Sequence, residues 1–238
     1  LVIGDEILSG RTKDRNIGHL ADVMTAIGID LREVRIVADD EDDIVAAVNA
    51  LRHRYSYVFT TGGIGPTHDD ITADAIARAF GVPCDYDARA LAMLEASYAE
   101  RGIAFTPARK RMARMPKGAE HIDNPISIAP GFRIANVYVM AGVPAIFQAM
   151  LDNVVPTLKT GARLLSETVH CPYGEGTIGD ALAEIQKKHP DTIIGSYPKY
   201  RDGSFWTELV VRSRDPARLA AAKAEIVAML AAIAARQA

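Results

Sequence analysis

The sequence predicts an α/β fold with a mainly parallel sheet, followed by a small α+β domain. Three observations point there. Strand-like apolar runs alternate with helix-period segments over residues 1–80, the pattern of right-handed crossovers around a parallel sheet. A glycine-rich loop, Thr60-Thr61-Gly62-Gly63-Ile64-Gly65-Pro66-Thr67-His68-Asp69-Asp70-Ile71-Thr72, joins one such run to a helix. Beyond Lys159-Thr160-Gly161 the order changes to βαββα.

Leu1 to Ile3 are the visible end of a first strand, entered without a methionine or polar lead-in, so a few native residues are expected to precede it. Ile17, Leu20, Met24 and Ile27 mark one face of a helix that stops at Gly28. Leu31 to Val37 read as a second strand with polar interruptions, and Ile44, Val45, Val48 and Leu51 give the next helix. Tyr55 to Thr61 form the third strand; the glycine loop follows, and then a helix on Ile71, Ala75, Ile76, Ala79 and Phe80 that Gly81 and Pro83 end.

Two further helices are expected over 88–100 and 107–113, then a hairpin-like segment over 120–134 with Asn124-Pro125 and Pro130-Gly131 turns. Val137 to Met140 form another strand, and Pro144 opens a helix running to Asn153. The domains are placed at 1–158 and 163–238. In the second, strands 164–171, 192–197 and 205–212 surround a helix over 178–188, Arg201-Asp202-Gly203 is a hairpin turn, and an alanine-rich helix runs from Pro216 to the end.

Composition excludes several functions. Of the 238 residues, 49% are hydrophobic and 24% charged, as in soluble globular proteins. The net charge of −3, with Lys and Arg dispersed, offers no footprint for nucleic acid or an anionic membrane. No apolar run approaches the roughly 20 residues of a membrane span. No signal peptide is read, and a cytoplasmic location is expected. Cys84 and Cys171 belong to no zinc or redox spacing and read as reduced structural thiols, with a long-range disulfide the alternative.

In an open α/β sheet, ligands bind beyond the carboxyl ends of the strands. Three segments meet that rule: Gly4-Asp5-Glu6 after strand one, Asp39-Asp40-Glu41-Asp42-Asp43 after strand two, and the Gly62–Asp70 loop after strand three. Gly142-Val143-Pro144 adds a helix start on the same edge. Each has a plain structural reading. The acidic run serves as a helix cap with solvated neighbours, Asp69 and Asp70 sit where a helix begins, Gly4 and Gly10 suit turns, and His68 suits a solvent-facing loop. The other histidines show no ligand spacing. Gly4 to Thr12 misses P-loop spacing and lacks its lysine, and the glycine loop lacks the dinucleotide fingerprint, which argues against a nicotinamide-dependent dehydrogenase.

The glycine loop suits an anion, through backbone N–H groups and a helix start, yet carries two carboxylates. A divalent cation bridging aspartates to phosphate oxygens reconciles the two. Chemistry alone therefore points to metal-assisted transfer or cleavage at a phosphate or pyrophosphate. Arg11, Lys13 and Arg15 could add phosphate contacts, or form a solvated stretch.

The loop from Thr60 to Thr72 closely resembles the hallmark loop of the MoaB/Mog molybdopterin-binding fold. Gly4-Asp5-Glu6-Ile7-Leu8-Ser9-Gly10, with Asp14-Arg15-Asn16, resembles the opening of that family's CinA amino-terminal branch, and Gly142-Val143-Pro144 resembles its later turn. The resemblance covers about residues 1 to 155. It implies a three-layer α/β domain, a homo-oligomer, and either of two activities. One is metal-dependent hydrolysis of ADP-ribose-like dinucleotide pyrophosphates; the alternative is non-hydrolytic binding of molybdopterin or a nucleotide in molybdenum cofactor metabolism. It places the catalytic aspartates at Asp70 and at Asp39 or Asp40. It also puts Gly62, Gly63 and Gly65 on the ligand-cradling loop. Together with the bridging-cation argument, this extends the expected phosphate or substrate contacts to Thr61, Thr72, Gly142, Pro144 and Asn16, and gives a divalent ion to Asp5, Glu6, Asp69 and Asp70. The sequence does not continue into the nicotinamide mononucleotide deamidase domain of full-length CinA proteins, nor into the adenylyl-transfer domain of eukaryotic FAD synthetases, so neither activity is expected.

Overall fold

The computed structural model describes residues 1–237. It divides into two units: Leu1–Val23 with Asp30–Lys159, and Met24–Ile29 with the residues from Thr160 onward.

The first unit begins with β1 (Val2–Ile3), the single turn α1 (Asp5–Leu8) and α2 (Asn16–Ala26), whose last residues group with the second unit. There follow β2 (Ile36–Val37), α3 (Glu41–Arg54), β3 (Val58–Thr61), α4 (Thr72–Phe80), β4 (Cys84–Tyr86), α5 (Ala88–Glu100) and α6 (Pro107–Lys110). A 3-10 turn over Arg111–Ala113 leads into β5 (Arg114–Pro116), β6 (Glu120–Ile122), β7 (Gly131–Ile134), β8 (Val137–Met140) and α7 (Pro144–Val154).

The main sheet runs β2-β1-β3-β8-β7-β6. β2, β1, β3 and β8 are parallel, while β7 and β6 complete the sheet antiparallel. The central strands are buried along their whole length, as a strand covered on both faces must be. Val58, Val137 and Val139 join Ile44, Val48 and Ile76 of α3 and α4 in one core. Their alternate neighbours Phe59, Tyr138 and Met140 point to the opposite face, and α7, with Phe147, Met150 and Leu151 fully buried, packs on β8 and β6. The result is helix–sheet–helix layering, in which each buried Leu, Ile, Phe or Met contributes about 1.5–3 kcal/mol.

Local chemistry sets the element ends. Asp40 caps α3 by accepting the N–H groups of Asp42 and Asp43 at 2.9 and 3.0 Å. Acidic residues in its first turn and Arg52, His53 and Arg54 in its last complement the helix dipole. Gly81 ends α4 at φ 66°, the left-handed position that favours glycine.

Two expected strands are shorter in the structure. Of residues 31–37 only Ile36 and Val37 pair, because β2 is an edge strand and Glu33 and Arg35 are turned into side-chain bonding with each other and with Tyr55. Of residues 55–61 only Val58 onward is strand; Tyr55 ends α3, its N–H bonded to the Leu51 carbonyl. The β4–β5 pairing was not read from sequence.

The second unit holds β9 (Leu165–Cys171), α8 (Glu175–Lys188), β10 (Ile193–Arg201), β11 (Ser204–Ser213) and α9 (Pro216–Gln237), the βαββα order. The helix expected to reach the end includes Ala238, which lies outside the described residues. Its antiparallel sheet, ordered β10-β11-β9, packs against α8 and α9 around Cys171, Ile178, Leu209, Val211 and Ile226. β10 runs four residues past the expected end at Tyr197, because the turn at Asp202 (φ 51°) and Gly203 (φ 80°) has both central residues left-handed and so zips the hairpin to its tip. Both cysteines are free.

Candidate functional site

Because β1, β2, β3 and β8 are parallel, the segments after all four emerge on one edge. There they line a cavity of about 550 Å³, within the usual range for small-ligand sites. One wall is the glycine loop. A Cβ on Gly62, which sits at φ 110°, would come within 2.1 Å of the Ile3 carbonyl oxygen, so only glycine lets β3 turn so close to β1. A Cβ on Gly63 would strike the Thr72 hydroxyl at 2.1 Å, and one on Gly65 would meet the Asp70 carboxylate at 2.6 Å.

Of the residues named from sequence, Glu6, Asp39, Asp69, Asp70, Gly62, Gly63, Gly65, Gly142 and Pro144 line this cavity. Five do not. Asp40 is spent on the α3 cap. Asp5 lies beside the site through its backbone, donating its N–H to Asp39 Oδ2 at 2.9 Å. Thr72 is fully buried and fastens the loop base: its hydroxyl donates to the Gly62 carbonyl at 3.1 Å and its N–H to the Gly63 carbonyl at 3.0 Å. Asn16 and Thr61 are buried beneath the edge. Asn16 Nδ2 donates to Thr61 Oγ1 at 2.7 Å and to the Gly142 carbonyl at 2.8 Å, while Thr61 Oγ1 donates to the Ala141 carbonyl at 3.1 Å. One amide thereby ties the start of α2 to the ends of β3 and β8. Arg11, Lys13 and Arg15 are exposed and line no part of the cavity.

Asp70 organises the loop as well as lining the site. Its Oδ2 accepts the N–H and hydroxyl of Thr67 at 2.8 and 2.6 Å, a local turn that holds the carboxylate toward Gly65. The opposite wall was missed from sequence. Asn124, 5% exposed, accepts the N–H groups of Ile126 and Ser127 and donates to the Ser127 hydroxyl and the Ala129 carbonyl; Asn124, Ser127 and Ala129 face the cavity, with Met112 beside them. Its signal in sequence was the pair of Asn-Pro and Pro-Gly turns. Within this loop Ile128 holds φ 68°, a strained conformation for a β-branched residue.

Electrostatically the site is anionic. Four carboxylates line it and, among the described residues, no Lys or Arg side chain does. Burial pushes the Asp39 carboxyl above the ordinary carboxylate range; the charges of Asp5, Glu6 and Asp69 add to the rise, and the Asp5 N–H partly offsets it. Asp69 moves the other way, lowered by hydrogen bonding within its own loop. Among the described residues no three His, Cys, Asp or Glu side chains converge as a metal-holding group. The donors are all oxygens, which suits a hard divalent cation that completes its coordination from a phosphate-bearing ligand.

Comparisons with known proteins agree with this architecture. Residues 1–160 match a family profile described as a probable molybdopterin binding domain, and residues 163–237 match one described as FAD synthase, middle domain. A protein of Pyrobaculum arsenaticum is 37% identical over 206 residues, 83% of this chain and 78% of that one. One from Saccharolobus islandicus is 35% identical over 208 residues, 84% of this chain and 79% of that one. Among solved structures, the protein CinA from Thermoplasma acidophilum, described as of unknown function, aligns with a TM-score of 0.60 at 33% identity, over 66% of this chain and 94% of that one. By the profile that spans residues 1–160, and by relatives of this identity and coverage, the chain belongs to the molybdopterin-binding (MoaB/Mog-like) family, with CinA-like neighbours.

Proposed function

We propose that the chain is a metal-dependent nucleotide pyrophosphatase that accepts ADP-ribose-like substrates at this edge. The observation that carries the reading is the pairing of a glycine-loop anion cradle with four carboxylates in one cavity. A resident protein cation would suffice for simple phosphate binding, and among the described residues none lines the wall. Glu6 and Asp69, with oxygens of the substrate's phosphates completing the coordination, would hold a divalent ion; when bound, that ion would supply charge neutralisation at the pyrophosphate.

The chain's own groups do the rest. Backbone N–H groups of the Gly63–Gly65 segment, and those of the first turn of α7 beyond Pro144, orient phosphate oxygens. The apolar side of the cavity, Met112, Ala129, Val143 and Ile146, receives a flat ring. Asp39, with its proton affinity raised by burial and like charges, takes a proton from water as the water oxygen bonds to phosphorus. The bridging P–O bond breaks, and ADP-ribose plus water gives AMP and ribose 5-phosphate. Asp70 shapes the loop through Thr67 while presenting its carboxylate to the cavity.

The second reading, binding of molybdopterin or a nucleotide without turnover, is favoured by the family description and by the lack of a three-ligand group among the described residues. Incubation with ADP-ribose and Mg²⁺ or Mn²⁺, with a chelator control, separates the two. AMP release that stops with chelator and falls about 100-fold or more in Asp39→Asn supports hydrolysis. Tight metal-independent binding of molybdopterin with no AMP supports the second reading.

A further inference from the structure

Arg111 opens the 3-10 turn after α6 and had no place in the sequence-based site. It lines a second, small cavity of about 10 Å³ that shares Gly63, Ile64, Gly65 and Asp70 with the large one. Its Nη2 donates to the Asp70 carbonyl at 3.3 Å. Its Nε is buried without a hydrogen-bond partner, and among the described residues Arg111 forms no ion pair. Arg114, three residues on, differs: its guanidinium is bound to the Asp74 carboxylate. A buried guanidinium N–H without a partner is costly and calls for an explanation. The small cavity has about the volume one water needs, and Asp70 lies on it.

We infer that Arg111 is a positioning residue of the ligand site. It holds the Asp70 backbone directly and the Asp70 carboxylate through one bridging water, fixing the segment 63–70 in its ligand-facing shape. Its charge also offsets part of the negative potential that the carboxylates set on the loop's front face. The activity arm of its test rests on the hydrolytic reading above; the structural arm does not.

The test uses Arg111→Ala and Arg111→Lys in the full chain. With ADP-ribose and Mn²⁺, Arg111→Ala should raise KM about tenfold or more with a smaller change in kcat, since a hydrogen bond to a charged group is lost. Added guanidinium ion at concentrations that leave the melting temperature unchanged should restore part of the loss, and Arg111→Lys should fall between. An unchanged KM, or a loss that guanidinium does not touch, overturns the inference. Independently of substrate, amide exchange over residues 60–74 should quicken in Arg111→Ala and slow again with guanidinium; unchanged exchange overturns it. A wild-type chain inactive on ADP-ribose sinks only the hydrolytic reading, and the exchange comparison then decides Arg111.

Discussion

Asn16 Nδ2 lies 2.7 Å from Thr61 Oγ1, joining two residues 45 positions apart beneath the site edge. The same amide reaches the Gly142 carbonyl, and its own Oδ1 is buried without a partner. Asn16→Ala removes both bonds and leaves the Thr61 hydroxyl and Gly142 carbonyl short of a donor. The expected cost is about 1–3 kcal/mol, read from the urea midpoint at constant slope. Ligand affinity should fall with it, because the Gly142 turn and the glycine loop share this anchor.

Three glycines can be ranked by what a methyl group would meet. Gly62→Ala combines left-handed backbone with a 2.1 Å clash against the Ile3 carbonyl, and should cost at least about 2 kcal/mol. Gly63→Ala meets the Thr72 hydroxyl and should behave alike. Gly81→Ala has left-handed φ but open space around it, and should cost only about 1 kcal/mol. Thermal unfolding of the three variants checks the order.

Asp39 carries a pH signature. Its folded-state carboxyl holds a proton more tightly than the unfolded chain does, so stability falls as pH rises from the ordinary carboxylate value through the folded one. Below that window both states are protonated and the penalty vanishes. Asp39→Asn, which keeps an oxygen for the Asp5 N–H, should therefore be more stable than wild type at pH 7 and indistinguishable near pH 3. Denaturation at the two pH values tests this, and equal stability at pH 7 would contradict the origin assigned to the shift.

Cys84 should be inert. Burial, with Asp74 nearby, pushes its thiol up to about 12, so the thiolate is scarce at pH 8. Cys171 is fully buried. Iodoacetamide should label neither in the native chain and both after denaturation, as read by mass spectrometry.

Alternation of strand and helix, the glycine loop and the βαββα order were legible because each is encoded within a few neighbouring residues. What stayed hidden depends on contacts far apart in the chain. Asp39 and Asp40 are adjacent acids with no local distinction; the α3 cap takes Asp40, and a bond from Asp5, 34 residues away, turns Asp39 to the cavity side. Arg111 had no role assigned from the sequence, because its partner is the carbonyl of Asp70, 41 residues away. Thr72 was assigned to ligand by its place in the loop, whereas its hydroxyl closes on Gly62. Leu31 to Arg35 have strand composition, yet an edge position gives them nothing to pair with on one side.

The carboxylate-lined wall has a kinetic consequence. For most phosphate-binding proteins, electrostatic steering speeds the encounter and added salt slows it. Here a free polyphosphate approaching Glu6, Asp39, Asp69 and Asp70 meets repulsion, which salt screens over a Debye length of about 8 Å at physiological ionic strength. Its association rate should rise with ionic strength, whereas the same ligand arriving with its charge neutralised should show little dependence. The slope of rate against salt thus reports which species of ligand the edge admits.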